Sequence, residues 1–99
     1  MAAPNRNVRT REFREMLDKL PIEVQQEADE AFRLFQENPN HRSLRLHQLQ
    51  NRGRGRHRDE TWSVSVTRSY RALYVVDGDT NVWYWIGTHA DHDAFTGKK

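Results

Sequence analysis

The residues with the most chemical scope in this chain fall in three short stretches of its second half. Arg45 and His47 stand two apart in L-R-L-H-Q-L. Arg68, Tyr70 and Arg71 occupy T-R-S-Y-R-A-L-Y, and His89, Asp91, His92 and Asp93 fill the box T-H-A-D-H-D. Histidine carries protons near neutral pH because its ordinary pKa lies there. Arginine presents a planar fork of donors that grips an oxyanion, phosphate above all, in a bidentate fashion. A tyrosine ring offers a face on which a nucleobase can stack, a contact worth about 1–3 kcal/mol. Together these types suit proton transfer beside a bound polyanion. Asp91, His92 and Asp93 also look like metal ligands, but three adjacent ligands rarely converge on one ion without distant help, so no metal and no other cofactor is expected. The same three residues suit the start of a helix, with Asp91 as its cap, and a histidine at a strand end also serves as a structural hydrogen bonder.

Charge distribution strengthens the polyanion reading. The 99-residue chain has a net charge of only +2. Between Thr10 and Asn40, however, eight acids oppose four bases, and between His41 and Arg71 eight arginines oppose only Asp59 and Glu60. Thirteen of the sixteen basic residues are arginine. Four of them, Arg52, Arg54, Arg56 and Arg58, punctuate the glycine-containing stretch N-R-G-R-G-R-H-R-D-E, a loop too polar to pack and suited to non-specific phosphate attraction. With no cysteine, disulfide scaffolds, thiolate metal sites and thiol catalysis are excluded. No run approaches the roughly 18 apolar residues of a membrane span, and Met1–Asn7 lacks the apolar centre of a signal peptide. A cytoplasmic protein with no membrane partner is expected.

These residues need a scaffold, and hydrophobic periodicity supplies one. Thr10 is placed to cap a first helix whose Phe13, Met16, Leu17 and Leu20 form one apolar stripe. Pro21 breaks that helix and suits the first position of a second, in which Val24, Ala28, Ala31, Phe32 and Phe35 repeat the stripe and Asn38-Pro39-Asn40 ends it. Leu44, Leu46 and Gln48 alternate with Arg45, His47 and Leu49, which predicts a strand with Arg45 and His47 on its polar face. Trp62, Val64 and Val66 alternate with Ser63, Ser65 and Thr67 in a half-buried strand, and Tyr70–Val76 is apolar on both faces. Asp77-Gly78-Asp79 predicts a hairpin turn into a last strand, Thr80–Ile86, whose V-W-Y-W-I should be buried on both sides. Thr88 or Asp91 would then cap a short helix reaching Phe95, and Trp62, Trp83 and Trp85 are expected in the core.

The expected fold class is α+β: an N-terminal helical hairpin packed on one face of a largely antiparallel four- to five-stranded sheet, with the opposite face left for function. Asn7–Arg9 could add a short edge strand. One domain should span residues 8–95, with 1–7 and 96–99 as flexible ends.

The motifs T-R-E-F…L-D-K-L-P, F-R-L-F-Q-E-N-P-N-H-R-S-L-R-L-H-Q-L, W-S-V-S-V-T-R-S-Y-R-A-L-Y and W-I-G-T-H-A-D-H-D together resemble toxins of the RelE/ParE superfamily from bacterial type II toxin–antitoxin systems. The resemblance runs from Val8 to about Phe95, and its last motif, with R-A-L-Y ahead of it, is the most specific. It implies a small α+β toxin neutralised by a cognate antitoxin, meeting operator DNA only through that antitoxin. Two modes of toxicity are implied: metal-independent cleavage of mRNA on the ribosome, or inhibition of DNA gyrase without nuclease activity. A non-toxic co-repressor acting with its antitoxin is a third reading. His47 in L-H-Q-L and His89 in G-T-H-A are similar to functional histidines of the histidine-rich branch, whereas Ser65 and Ser69 stand where that branch has a histidine and an acid. The histidine and arginine set favours the endonuclease. In that reading His47, His89, Arg71 and Tyr70 are catalytic, Arg45, Arg68 and the four loop arginines bind RNA, and Asp91, His92 and Asp93 are auxiliary.

Overall fold

The computed structural model describes residues 6–49 and 56–97. In chain order it contains β1 (Arg6–Arg9), α1 (Arg11–Asp18), α2 (Ile22–Glu37), a 3-10 turn (Arg42–Leu44), β2 (His47–Gln48), β3 (Trp62–Ser65), β4 (Tyr70–Asp77), β5 (Thr80–Thr88) and α3 (His89–Thr96). The strands form one sheet in the order β1-β5-β4-β3-β2. The class is α+β as expected, but the sheet is mixed. β2, β3, β4 and β5 pair antiparallel, and β1 lies parallel to β5 with Val8 opposite Val82. A parallel pair needs a crossover, and the helical hairpin between β1 and the rest of the sheet provides it.

The hairpin forms where the apolar stripes require it. Thr10 caps α1, its Oγ1 accepting from the Phe13 N–H at 3.1 Å, and Phe13 and Leu17 enter the core. Pro21 stands one place before the first residue of α2 rather than at its first position. Both helices cover one sheet face, where Phe13, Leu17, Ala28 and Phe35 meet Val64, Ala72, Tyr74, Trp83 and Ile86. Trp83 is the hub. Its ring lies 4.6 Å from Phe32, 5.2 Å from Phe35 and 4.6 Å from Tyr74, mostly edge to face, the arrangement aromatic quadrupoles favour. Burial pushes the Tyr74 phenol up to about 12.

β1 reaches back to Arg6, inside the stretch expected to be loose, because Asn7 ties it down. The Asn7 Oδ1 accepts from Asn81 Nδ2 at 3.1 Å and from Trp83 Nε1 at 3.0 Å. One side chain therefore satisfies two donors of β5 that would otherwise be buried and unpaired.

Two expectations about the sheet are corrected. The strand expected from Leu44 is only His47–Gln48. The His41 Nδ1 accepts from the Ser43 N–H at 3.2 Å and caps a 3-10 turn instead. Arg45 then adopts a left-handed conformation at φ 46°. Leu44 still reaches the core, so the apolar alternation serves the core without making a strand. The second correction concerns the face opposite the hairpin, which is not left open. Leu73 pairs with Trp85 but Tyr74 pairs with Trp83, so Tyr84 is the extra residue of a bulge. A bulge reverses the alternation locally. Trp83 thus faces the hairpin, while Trp85 faces the other way and stacks on Phe95 of α3 at 5.2 Å.

α3 covers that second face. Thr88 is its cap, accepting from the Asp91 N–H at 3.1 Å, and Gly97 closes it in the left-handed region. The end of the arginine loop packs too, contrary to expectation. The Arg56 N–H donates to the Phe95 carbonyl at 2.6 Å and the Arg58 N–H to the Tyr84 hydroxyl at 2.9 Å, with Thr61 fully buried beneath. Arg52 and Arg54 lie outside the described residues. No described helix is long and apolar enough to cross a membrane.

Candidate functional site

Local hydrogen bonds make the β3–β4 turn rigid. The Thr67 hydroxyl accepts from the Ser69 N–H at 3.0 Å and the Tyr70 N–H at 3.1 Å, and the Val66 N–H reaches the Tyr70 carbonyl at 2.9 Å. Ser65 donates its hydroxyl to the Thr67 carbonyl at 2.9 Å. The His89 N–H donates to the Ser69 carbonyl at 2.7 Å, which fastens the start of α3 to the same turn.

Between this turn, α2 and the 3-10 turn opens a cleft of about 640 Å³. Arg45, Arg68, Arg71 and His89 all line it, together with Ser65 and Thr67. Four residues from three separate stretches of the chain are gathered by three separate devices. The left-handed turn after Leu44 turns Arg45 out, the Thr67 turn presents Arg68, and pairing of Arg71 with Gly87 sets Arg71 two residues from His89 across the β4–β5 ladder. Glu27 and Glu30 of α2 form part of the lining as well. Periodicity marks these two only as the exposed face of a helix, and nothing in their spacing points to a site.

Arg71 is the buried member of the set, with 7% of its surface exposed. Burial, and after it the neighbouring Arg45 charge, pushes its guanidinium down from the ordinary arginine value, while Asp93 acts the other way. Its Nε donates to the Ser63 hydroxyl at 3.1 Å, and Ser63 in turn lies 3.0 Å from His92 Nε2. His92 is buried against Trp85 and carries its Nδ1 3.4 Å from Asp93 Oδ1. Burial is the main cause that pushes this histidine down to about 4, so it is neutral at physiological pH.

The remaining residues of the expected set stand outside the cleft lining. His47 is exposed on β2 opposite Ser63, its Nδ1 2.9 Å from the Arg45 carbonyl. Tyr70 is half-buried and pairs with Thr88. His89, by contrast part of the lining, carries its Nε2 3.7 Å from Asp93 Oδ2. Asp91 is exposed in the first turn of α3. Arg56 and Arg58 lie over the rings of Phe95 and Tyr84 at 5.9 and 5.7 Å, on the α3 face. Among the described residues no group of three or more acids or histidines is arranged to hold a metal ion.

Residues 23–94 match the model of the ParE-like toxin domain. The chain belongs to that family. No curated protein sequence is similar enough to add a closer relative. Among solved structures, the toxin–antitoxin complex RelBE2 of Mycobacterium tuberculosis is 26% identical with a TM-score of 0.64, covering 88% of this chain and 100% of that one. YafQ of E. coli strain BL21(DE3) is 14% identical at a TM-score of 0.65, over 87% of this chain and 94% of its own. The archaeal RelE–RelB complex of Pyrococcus horikoshii OT3 is 15% identical at 0.64, over 86% and 94%. A toxin of the RelE/ParE superfamily, with the RelE-like fold, is thereby established.

Proposed function

We propose that this ParE-like toxin is a ribosome-dependent mRNA endonuclease that works without a metal and that a cognate antitoxin neutralises it. The observation that carries the reading is the convergence of Arg45, Arg68 and Arg71 with His89 on one cleft. Cleavage by the neighbouring 2′-oxygen needs a base for the 2′-hydroxyl, an acid for the departing 5′-oxygen and positive charge against the phosphorane. The O2′–P bond forms as the P–O5′ bond breaks, leaving a 2′,3′-cyclic phosphate and a 5′-hydroxyl.

The three arginines supply the charge. With Nδ1–H donated to the Arg45 carbonyl, neutral His47 presents Nε2 as an acceptor and suits the base from the β2 edge. His89, whose protonated ring would face Asp93, suits the acid. Tyr70 next to Arg71 is assigned to base stacking and Arg56 and Arg58, with Arg52 and Arg54, to the RNA backbone. The antitoxin assignment rests on the RelBE2 and RelE–RelB complexes among the structural relatives.

The family's description names ParE, which favours a second reading as a gyrase-directed toxin without nuclease activity. Mapping mRNA ends on translating ribosomes after expression separates the two. Codon-phased cuts that disappear in His89→Ala are expected. Intact mRNA together with gyrase-linked DNA breaks would exclude the nuclease.

A further inference from the structure

The donor inventory of the buried cluster beneath the cleft favours one direction. The Arg71 Nε can only donate, so Ser63 Oγ accepts from it at 3.1 Å. The one hydroxyl proton of Ser63 is then free for His92 Nε2 at 3.0 Å. That places the His92 proton on Nδ1, toward Asp93 Oδ1 at 3.4 Å. The opposite tautomer would set a nitrogen lone pair against a carboxylate and leave the serine proton without an acceptor. A neutral His92, pushed down to about 4 by burial, matches this arrangement.

Burial makes the chain rigid: Ser63 is 0%, His92 4% and Arg71 7% exposed. Among the described residues Arg71 makes no direct ion pair. A carboxylate at its Nε would have held it equally well, but would also have quenched the charge offered to an incoming phosphate. A hydroxyl fixes the guanidinium and leaves the charge available, while Asp93 stands beyond His92 and acts on Arg71 by its charge without touching it.

We propose that Ser63 and His92 are positioning residues, a buried relay from Asp93 that orients the Arg71 guanidinium in the cleft before a phosphate arrives. The inference rests on the nuclease reading for what Arg71 is held ready to do. None of the three relay residues lines the cleft. Their effect is on where the Arg71 donors lie when charge develops at phosphorus, and a displacement of about 1 Å there costs on the order of 100-fold in rate.

Two readouts on the whole chain test the relay. The first is the arginine Nε–H region of a 15N-correlated NMR spectrum, in which Arg71→Lys identifies the Arg71 signal by its loss. The wild type should show that signal protected from solvent exchange. Ser63→Ala and His92→Phe should expose it, whereas Ser63→Thr, which keeps the hydroxyl, and His92→Gln, whose amide oxygen can accept from Ser63, should keep it. Dispersion of the backbone amide signals reports on folding in every variant. The second readout is single-turnover mRNA cleavage on ribosomes. Ser63→Ala and His92→Phe should lose about 100-fold, with ribosome association unchanged and with rescue by Ser63→Thr and His92→Gln. A protected Nε–H in folded Ser63→Ala would overturn the relay whatever the cleavage result. The expected Nε–H pattern in a wild-type chain that cuts nothing would support the relay and sink the nuclease.

Discussion

Arg71 brings a positive charge to a place where little water reaches it, and that cost is the physical signature of the site. A buried guanidinium is tolerated when donors and acceptors are matched around it, and it then acts on an anion in a medium far less screening than water. Arg71→Ala should lower mRNA cleavage about 100- to 1,000-fold, the usual loss when a donor to the reacting centre is removed; measured single-turnover rates would show it. His92 adds a prediction about pH. Unfolded, it takes up a proton near 6.5, and folded only near 4. Between those values the unfolded chain holds the extra proton, so the histidine's contribution to stability is complete above about 6.5 and is lost as pH falls toward 4. The loss is on the order of 3 kcal/mol. Urea midpoints taken from pH 7 to pH 4 should fall more steeply in the wild type than in His92→Gln, and parallel curves would contradict the assignment.

At the scale of elements, β5 decides the arrangement. Its bulge at Tyr84 sends Trp83 to the hairpin core and Trp85 to α3. Trp85 in turn folds over Gly87, where a Cβ would come within 2.8 Å of the indole ring. Gly87→Ala should therefore destabilise the chain by about 1–3 kcal/mol, as overpacking does, and loosen the α3 face first. Asn7→Ala removes the acceptor shared by Asn81 and Trp83 and should cost about 1–3 kcal/mol for the donors left unpaired; thermal unfolding of the two variants would check both. Much of this framework is legible in the sequence. The Thr10 cap, the two apolar stripes, the Asp77-Gly78 turn and a helix reaching Phe95 follow from local periodicity and local hydrogen bonding. The bulge is not legible, because V-W-Y-W-I looks the same whether or not a residue is looped out. The parallel pairing of β1 is hidden too, since it depends on Asn7 finding partners on the last strand, at the far end of the chain. For the candidate site, arginine and histidine types point to Arg45, Arg68, Arg71 and His89. Ser63 gives no signal, because alternation places it on the same polar face as Ser65 and Thr67, and only α3 folding back makes it buried.

The whole molecule divides its charge as it divides its elements. Acids gather on the exposed sides of α1 and α2, and arginines gather around the cleft and in the loop that follows β2. Such a division would favour a polyanion on the arginine side of the cleft, opposite Glu27 and Glu30 of α2. Replacing Arg52, Arg54, Arg56 and Arg58 by glutamine should weaken ribosome association and flatten its dependence on salt, by roughly 0.7 in the log–log slope for each phosphate no longer neutralised. Arg56 and Arg58 also lie over Phe95 and Tyr84, so a small loss of stability should accompany the change. An unchanged salt slope would show that the loop is merely solvated. Adding an antitoxin that neutralises this toxin should abolish ribosome association and cleavage together. The most direct measurement is the chemistry of the cut ends on a defined mRNA held in translating ribosomes. A 2′,3′-cyclic phosphate upstream and a 5′-hydroxyl downstream, both lost in Arg71→Ala, are predicted. Ends bearing a 5′-phosphate and a 3′-hydroxyl, or an uncut message, would contradict the account.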